Sequence, residues 1–184
     1  MTDVTQRDNS VAGDQAGGNI NKAVLILPNT PSAITELNEQ YLAESASDRN
    51  LQSLIDELNH FSVSLPYAKK DLSTKLTEGS RLHEVPEALF LKERITKRIL
   101  ILSKSTYAQQ ILAFALGKLK QSYLHKVYPE IVAGATQTTV NRLIYDEVLT
   151  PAFKFLEINP LKLSDDDLKA MIYFLSGNCH IEWA

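Results

Sequence analysis

From residue 32 onward, apolar positions recur at helical spacing, and the polar residues between them mark where helices start and stop. Ser32, with Thr35 and Glu36 one turn on, reads as a helix start, and Leu37, Tyr41 and Leu42 carry that helix forward. A second helix is predicted from near Asp48 to near His60, with Leu51, Leu54, Ile55 and Leu58 on one face. Phe61-Ser62-Val63-Ser64-Leu65 then alternates strictly before Pro66, which predicts an extended connector. A third helix over 67–79 carries Leu72 and Leu76 and is stopped by Gly79, and a loop over 80–86 is closed by Pro86. The longest helical stretch runs from Glu87 to Tyr128 with no proline. Unbroken, it would extend for roughly 60 Å. Its middle, Ile99 to Leu116, is apolar nearly all round, the pattern of a central helix packed on several sides.

After Pro129 a short segment ends at Gly134, and a fifth helix over 136–148 aligns Val140, Leu143, Ile144 and Val148. Pro151 either begins a new helix or kinks the existing one. The last helix has the clearest start. Ser164 precedes Asp165-Asp166-Asp167, a capping serine with acid three residues on and negative charge at the positive helix end. Leu168, Met171, Ile172 and Leu175 form its stripe, and Gly177-Asn178 ends it. In the tail beyond, Cys179, Ile181 and Trp183 share one face of an extended segment. The expected fold is mainly α, a single multi-helix bundle over 32–184 around a long central helix.

Residues 1–31 have a different make-up. Three of the seven glycines, Gly13, Gly17 and Gly18, lie in the first 18 residues, interleaved with Val11, Asp14, Asn19 and Ile20. Glycine and asparagine disfavour helix and tolerate turns. The run Ala23-Val24-Leu25-Ile26-Leu27 before Pro28 reads as a short strand. Isolated short strands are marginal, so Val11, Gly13, Asp14, Gly18, Asn19 and Ile20 are candidates for self-association with other copies of the chain; a flexible tail is the alternative.

The 184-residue chain has a net charge of -3 and a single cysteine. One cysteine excludes an internal disulfide framework and a multi-cysteine zinc site. No secretory signal opens the chain, and Lys104, Gln109 and Gln110 interrupt its most apolar window, so a cytoplasmic protein is expected. The mild average charge hides a basic middle. Between Lys92 and Lys126, Glu93 is the only acid. On one continuous helix Lys97, Lys104, Lys118 and Lys126 would fall within about a quarter-turn, a stripe able to contact phosphates.

No catalytic constellation stands out. His60, His83, His125 and His180 do not pair at helical metal-binding spacing, and the acidic triplet at 165–167 is explained by its helix start. Phosphate-binding loops and nucleophile elbows are absent, and no arginine has a histidine at the spacing of a helical ribonuclease site. Cys179 and His180 are sequence neighbours, which seldom face each other as nucleophile and base. A buried Cys179 with His180 as a structural hydrogen-bonding partner is expected instead. No cofactor or metal is predicted.

The tail Met171-Ile172-Tyr173-Phe174-Leu175-Ser176-Gly177-Asn178-Cys179-His180-Ile181-Glu182-Trp183 resembles the ending of the helical C-terminal domains of ABC three-component (Lamassu-like) bacterial conflict systems. Those commonly end in a phrase like Phe-Leu-Thr-Gly-Asn-Cys-His-Ile-Arg-Trp. Here Ser176 stands for the threonine and Glu182 for the arginine. Tyr107-Ala108-Gln109-Gln110-Ile111-Leu112 and Tyr128-Pro129-Glu130-Ile131-Val132-Ala133-Gly134 are further blocks of similarity, and Ala12 to Ile20 is similar to short Gly-Asp repeats beside such domains. The resemblance covers roughly 35–184 and marks Gly177, Asn178, Cys179, His180 and Trp183 as the family motif.

The resemblance implies a helical domain that couples an effector to a DNA-sensing ABC ATPase of the SMC/Rad50 type. In such systems the domain usually follows an effector domain, and residues 1–31 are too short to be one. The expectation is therefore a non-enzymatic assembly subunit of an antiphage complex, itself a homo-oligomer. A small helical nucleic-acid-binding protein using the 92–126 stripe is the alternative. Whether Trp183 lies in the core or at an interface stays open at this level.

Overall fold

Polar caps set where the helices begin. A computed structural model describes residues 32–46, 61 and 70–184, and every regular element among them is helical. Helix α1 spans Ala33–Ala46 and α2 spans Leu72–Glu78, capped by Asp71, whose side chain accepts from the Thr74 N–H. A 3-10 turn at Leu82–Glu84 leads into α3, Val85–Leu102, with Pro86 in its first turn, where a missing N–H costs nothing. Helix α4 is Thr106–Lys126, α5 is Tyr128–Val132 and α6 is Gln137–Leu143, capped by Thr136. A π-helical segment, Ile144–Leu149, joins α6 to α7, Thr150–Phe155, and α8 is Asp165–Gly177. The predicted helix from Asp48 to His60 and the strand-forming segment 1–31 lie outside the described residues.

Two expectations change, and the choice left open at Pro151 is decided. The long stretch from Glu87 to Tyr128 is two helices, divided at residues 103–105. Ser105 adopts an extended conformation and its hydroxyl accepts from the Ala108 N–H at 3.1 Å, so a good N-cap starts a new helix where the pattern alone ran on. Phe61, expected to open an extended connector, is helical and buried; the rest of that connector lies outside the described residues. Pro151 stands in the first turn of α7. The widened π turn before it, in which the Thr150 N–H donates to the Tyr145 carbonyl five residues back, accommodates a ring that would press on the carbonyl four residues back in a regular helix.

The all-round burial expected of Ile99 to Leu116 belongs instead to α8. Ala170 to Ser176 are all buried, while Leu100 and Ile101 are exposed. Helix α8 packs chiefly along α3, through Ala88, Leu91, Ile95 and Ile99, and also against α4, which contributes Ile111, Leu112, Leu116 and Leu119. Helix α1 lies on α4. Asn38 ties it to the Leu156 carbonyl at 3.1 Å, and Ser32 and Thr35 both donate to the Glu157 carboxylate.

The start of α8 is a complete capping box. Ser164 Oγ accepts from the Asp167 N–H at 3.2 Å, and the Asp167 carboxylate accepts from the Ser164 N–H at 2.8 Å. Arg98 reaches the same carboxylate at 2.6 Å and also donates to the Leu161 and Lys162 carbonyls. One acidic residue thus caps α8, binds it to α3 and fixes the loop before it.

Candidate interaction site

The tail that carries the family phrase begins where α8 stops. Asn178 is the C-cap, and Cys179 takes the left-handed conformation at φ 64°. The His180 N–H donates to the Leu175 carbonyl and the Cys179 N–H to the Ser176 carbonyl, which closes a Schellman motif. Helix α2 ends in the same way, with Ser80 at φ 60° and the Arg81 N–H on the Leu76 carbonyl at 2.7 Å. Gly79 sits one residue before its left-handed position and Gly177 two residues before its own. At Gly79 the missing side chain permits close approach: a Cβ there would lie 2.5 Å from the Trp183 carbonyl oxygen, whereas one on Gly177 would meet only the flexible end of Lys92.

Residues 180–183 then lie among α2, α4 and α8. Ile181 and Trp183 are buried, so Trp183 belongs to the core of the chain. Its indole N–H donates to Ser176 Oγ at 2.9 Å, its ring stacks on Tyr173 and meets Tyr123 edge-on, and the Arg81 guanidinium lies 4.9 Å from the ring centre. The Ser176 hydroxyl is the group a threonine would also present, which explains why serine serves there. Tyr123 donates to the Glu182 carbonyl at 2.7 Å. Burial pushes the Tyr123 and Tyr173 hydroxyls far above the usual tyrosine range, so both remain donors.

Lys75, on α2, fastens the tail. Its buried ammonium donates to the Ser176 carbonyl at 3.0 Å and the Ile181 carbonyl at 3.2 Å, and pairs with the Glu182 carboxylate at 2.8 Å. All three of its protons are used. Glu182, the second departure from the family phrase, thus pairs with a buried cation. Arg81 is held at one nitrogen by Glu84 and Asn141, both at 2.7 Å, and Tyr173 donates to Glu84 at 3.2 Å. A cleft of about 430 Å³ opens beside this network, lined by Arg81, Glu84, Asn141, Lys169, Tyr173 and Trp183. Its charges are paired within the chain: Arg81 with Glu84, and Lys169 with Glu87 at 2.8 Å.

Cys179 is not buried as expected. Cys179 is partly exposed, with its thiol 3.6 Å from the Lys70 carbonyl, while His180 is buried and meets the Phe61 ring edge-on. Asn178 donates to the Phe61 carbonyl at 2.9 Å. The motif residues Gly177, Asn178, His180 and Trp183 are therefore brought together as internal fasteners. Lys75, Arg81, Tyr123 and Asn141, which the sequence reading passed over, complete the set. Only Lys75 left a signal, as a charged residue beside Leu76 in the apolar stripe of a short helix.

The basic stripe loses its continuity at the helix break. Lys97 lies on α3 and is paired with Glu93 at 2.6 Å, Lys104 lies in the turn, and Lys118 and Lys126 lie on α4. Arg94 and Arg98 are directed to Asp167. A second cleft, about 640 Å³ and largely apolar, lies between α4 and α7 beside Phe61, with Phe114, Gly117, Lys118 and Phe155 in its wall. Val11, Gly13, Asp14, Gly18, Asn19 and Ile20 lie outside the described residues. Among the described residues no three His, Cys, Asp or Glu side chains gather as a metal-holding group, and no helix is long and apolar enough to cross a membrane.

No curated protein and no solved structure matches the chain. A family described as C-terminal domain 9 of the ABC-three component (ABC-3C) systems matches residues 71–183, more than half of the chain. The matched region opens at the Asp71 cap of α2 and closes on Trp183, so it takes in the tail and the three helices that enclose it. The chain belongs to the family of C-terminal domain 9 of the ABC-3C systems, and is a component of such a system.

Proposed function

We propose that this chain is a non-catalytic coupling subunit of a bacterial antiphage complex, cytoplasmic and Lamassu-like, linking an SMC/Rad50-like ABC ATPase to an effector or scaffold. The observation that carries this reading is the family match over 71–183. It is supported by the use to which the signature is put: Asn178, His180 and Trp183 face inward and hold the fold. A motif consumed by packing supports a role as a rigid adaptor, with function on the outer surfaces. The divided lysine stripe gives the nucleic-acid reading no added support. Self-association through residues 8–27 belongs to the same proposal, and light scattering with and without residues 1–27 tests it.

Co-expression with an SMC/Rad50-like ABC ATPase of an ABC-3C system, followed by tag capture, tests the coupling role. The expected result is co-elution of the ATPase and loss of phage protection when the chain is removed. An ATPase and effector that assemble and protect equally well without the chain would overturn the proposal.

A further inference from the structure

Helix α3 buries Ala88, Leu91, Ile95 and Ile99. At 100° per residue, Leu89, Leu100, Glu93, Lys97, Phe90 and Ile101 fall in an arc of about 120° on the opposite side. Their exposure agrees with the wheel: Leu89 46%, Phe90 64%, Leu100 65% and Ile101 67%, with Glu93 and Lys97 at 68% and 70%. Four large apolar side chains standing out on one helix face are unusual for a surface that meets only water.

The order of these residues is what identifies an occupant. They are arranged symmetrically about Ile95: an apolar pair, an acid, a base, an apolar pair. We infer that this face binds a second copy of the same chain, with the two α3 helices antiparallel across a two-fold axis beside Ile95. In that arrangement Phe90 meets the partner's Ile101, Leu89 meets the partner's Leu100, and Glu93 meets the partner's Lys97. Each contact occurs twice, as an isologous interface requires. The same-side placement on the wheel agrees, since Phe90 and Ile101 flank one edge of the arc and Leu89 and Leu100 the other. Parallel helices would instead set Glu93 against glutamate and Lys97 against lysine, so charge selects the antiparallel pair. The Glu93–Lys97 ion pair within each copy, 2.6 Å, becomes half of a four-charge cluster with alternating signs.

The contact involves few residues and falls at the small end of specific interfaces, so a dimer that depends on concentration is expected. It uses no residue of the 8–27 segment and no partner of the ABC-3C complex.

Sedimentation of the full chain over rising concentration, for the wild type, Glu93→Lys, Lys97→Glu and an equal mixture of the two variants, is the test. Wild type is expected to pass from monomer to dimer. Each charge reversal places four like charges together and should weaken the dimer about tenfold or more. The mixture should recover it, because an all-basic face then meets an all-acidic one. Both side chains are exposed, and circular dichroism melting at low protein concentration within a degree or two of wild type confirms that the variants fold. Three results would each overturn the inference: a wild type that stays monomeric throughout, a dimer that neither reversal weakens, or a mixture that associates no better than its components.

Discussion

The C-terminal tail and the outer face of α3 carry similar apolar content and have opposite fates. Ile181 and Trp183 are enclosed on several sides by α2, α4 and α8, whereas Leu89, Phe90, Leu100 and Ile101 stand on the side of α3 that α8 does not reach. The polar groups differ in parallel. Lys75 and Tyr123 are buried with their donors directed at tail carbonyls, while Glu93 and Lys97 pair in solvent. Apolar residues stabilise a fold only where other elements cover them, and a buried charge is tolerated only where every proton has an acceptor. The tail meets both conditions, whereas the apolar residues on the outer face of α3 are uncovered and its charges stay in solvent. Changes in the tail should therefore act on stability, and changes on the face should act on association.

Trp183→Ala should break the first half of that contrast most severely. Loss of a buried indole costs about 3–5 kcal/mol, which lowers the melting temperature of a domain this size by roughly 10 °C or more. Trp183→Phe keeps the ring and loses the bond to Ser176, so it should cost visibly less. Lys75→Met leaves two carbonyls and Glu182 without their donor; about 2–3 kcal/mol is expected, measurable as a lower denaturation midpoint at unchanged slope. Gly79→Ala sets a methyl against the Trp183 carbonyl and should cost about 1–3 kcal/mol, read in the same way. A melting curve unchanged by Gly79→Ala would mean that the tail does not press on α2.

Much of the bundle was legible because local signals and packing agree. The Ser164 cap, the acidic first turn and the stripe from Leu168 to Leu175 all reappear in α8. The break at Ser103–Ser105 was not read, although Ser105 is a good cap, because apolar periodicity continues across it and only tertiary packing decides between one helix and two. For the same reason the lysine stripe dissolved. The principle that an all-round apolar helix is central held, but it applied to Ala170–Leu175 and not to Ile99–Leu116; which apolar run is enclosed depends on neighbours far away in sequence. The motif at 177–183 was visible as a resemblance, yet its mechanism needed Lys75, Arg81 and Tyr123, about 60 to 110 positions removed, and no local spacing signals such partners.

Asp167 joins the two regions, since it lies on α8 and is gripped by Arg98 from α3. Burial pushes its carboxyl up, but the Ser164 hydrogen bonds together with Arg98 and Arg94 outweigh this and hold it below the usual aspartate range. A group whose folded pKa is depressed contributes stability that is present above its unfolded pKa, about 3.9, and is lost as pH falls through the folded value. Asp167→Asn should cost about 1 kcal/mol at neutral pH through the weakened cap. It should also flatten the fall in melting temperature below about pH 4. An acid limb of unchanged steepness would remove Asp167 from the groups that govern it.

The smallest stability effect is expected on the outer face, and it sharpens the contrast most. Glu93→Lys removes one exposed pair at (i, i+4), worth about 0.3–0.5 kcal/mol, and adds a like charge four residues from Lys97 that costs a similar amount. Thermal melting at low protein concentration should therefore shift by only a degree or two. At high concentration the gap from wild type should widen, because a dimer of folded chains stabilises the wild type by mass action and the variant lacks it. The tail variants should show the reverse, with large losses at every concentration. A Glu93→Lys loss as large as that of Gly79→Ala at low concentration would place α3's outer residues in the folding core and erase the distinction between the two regions.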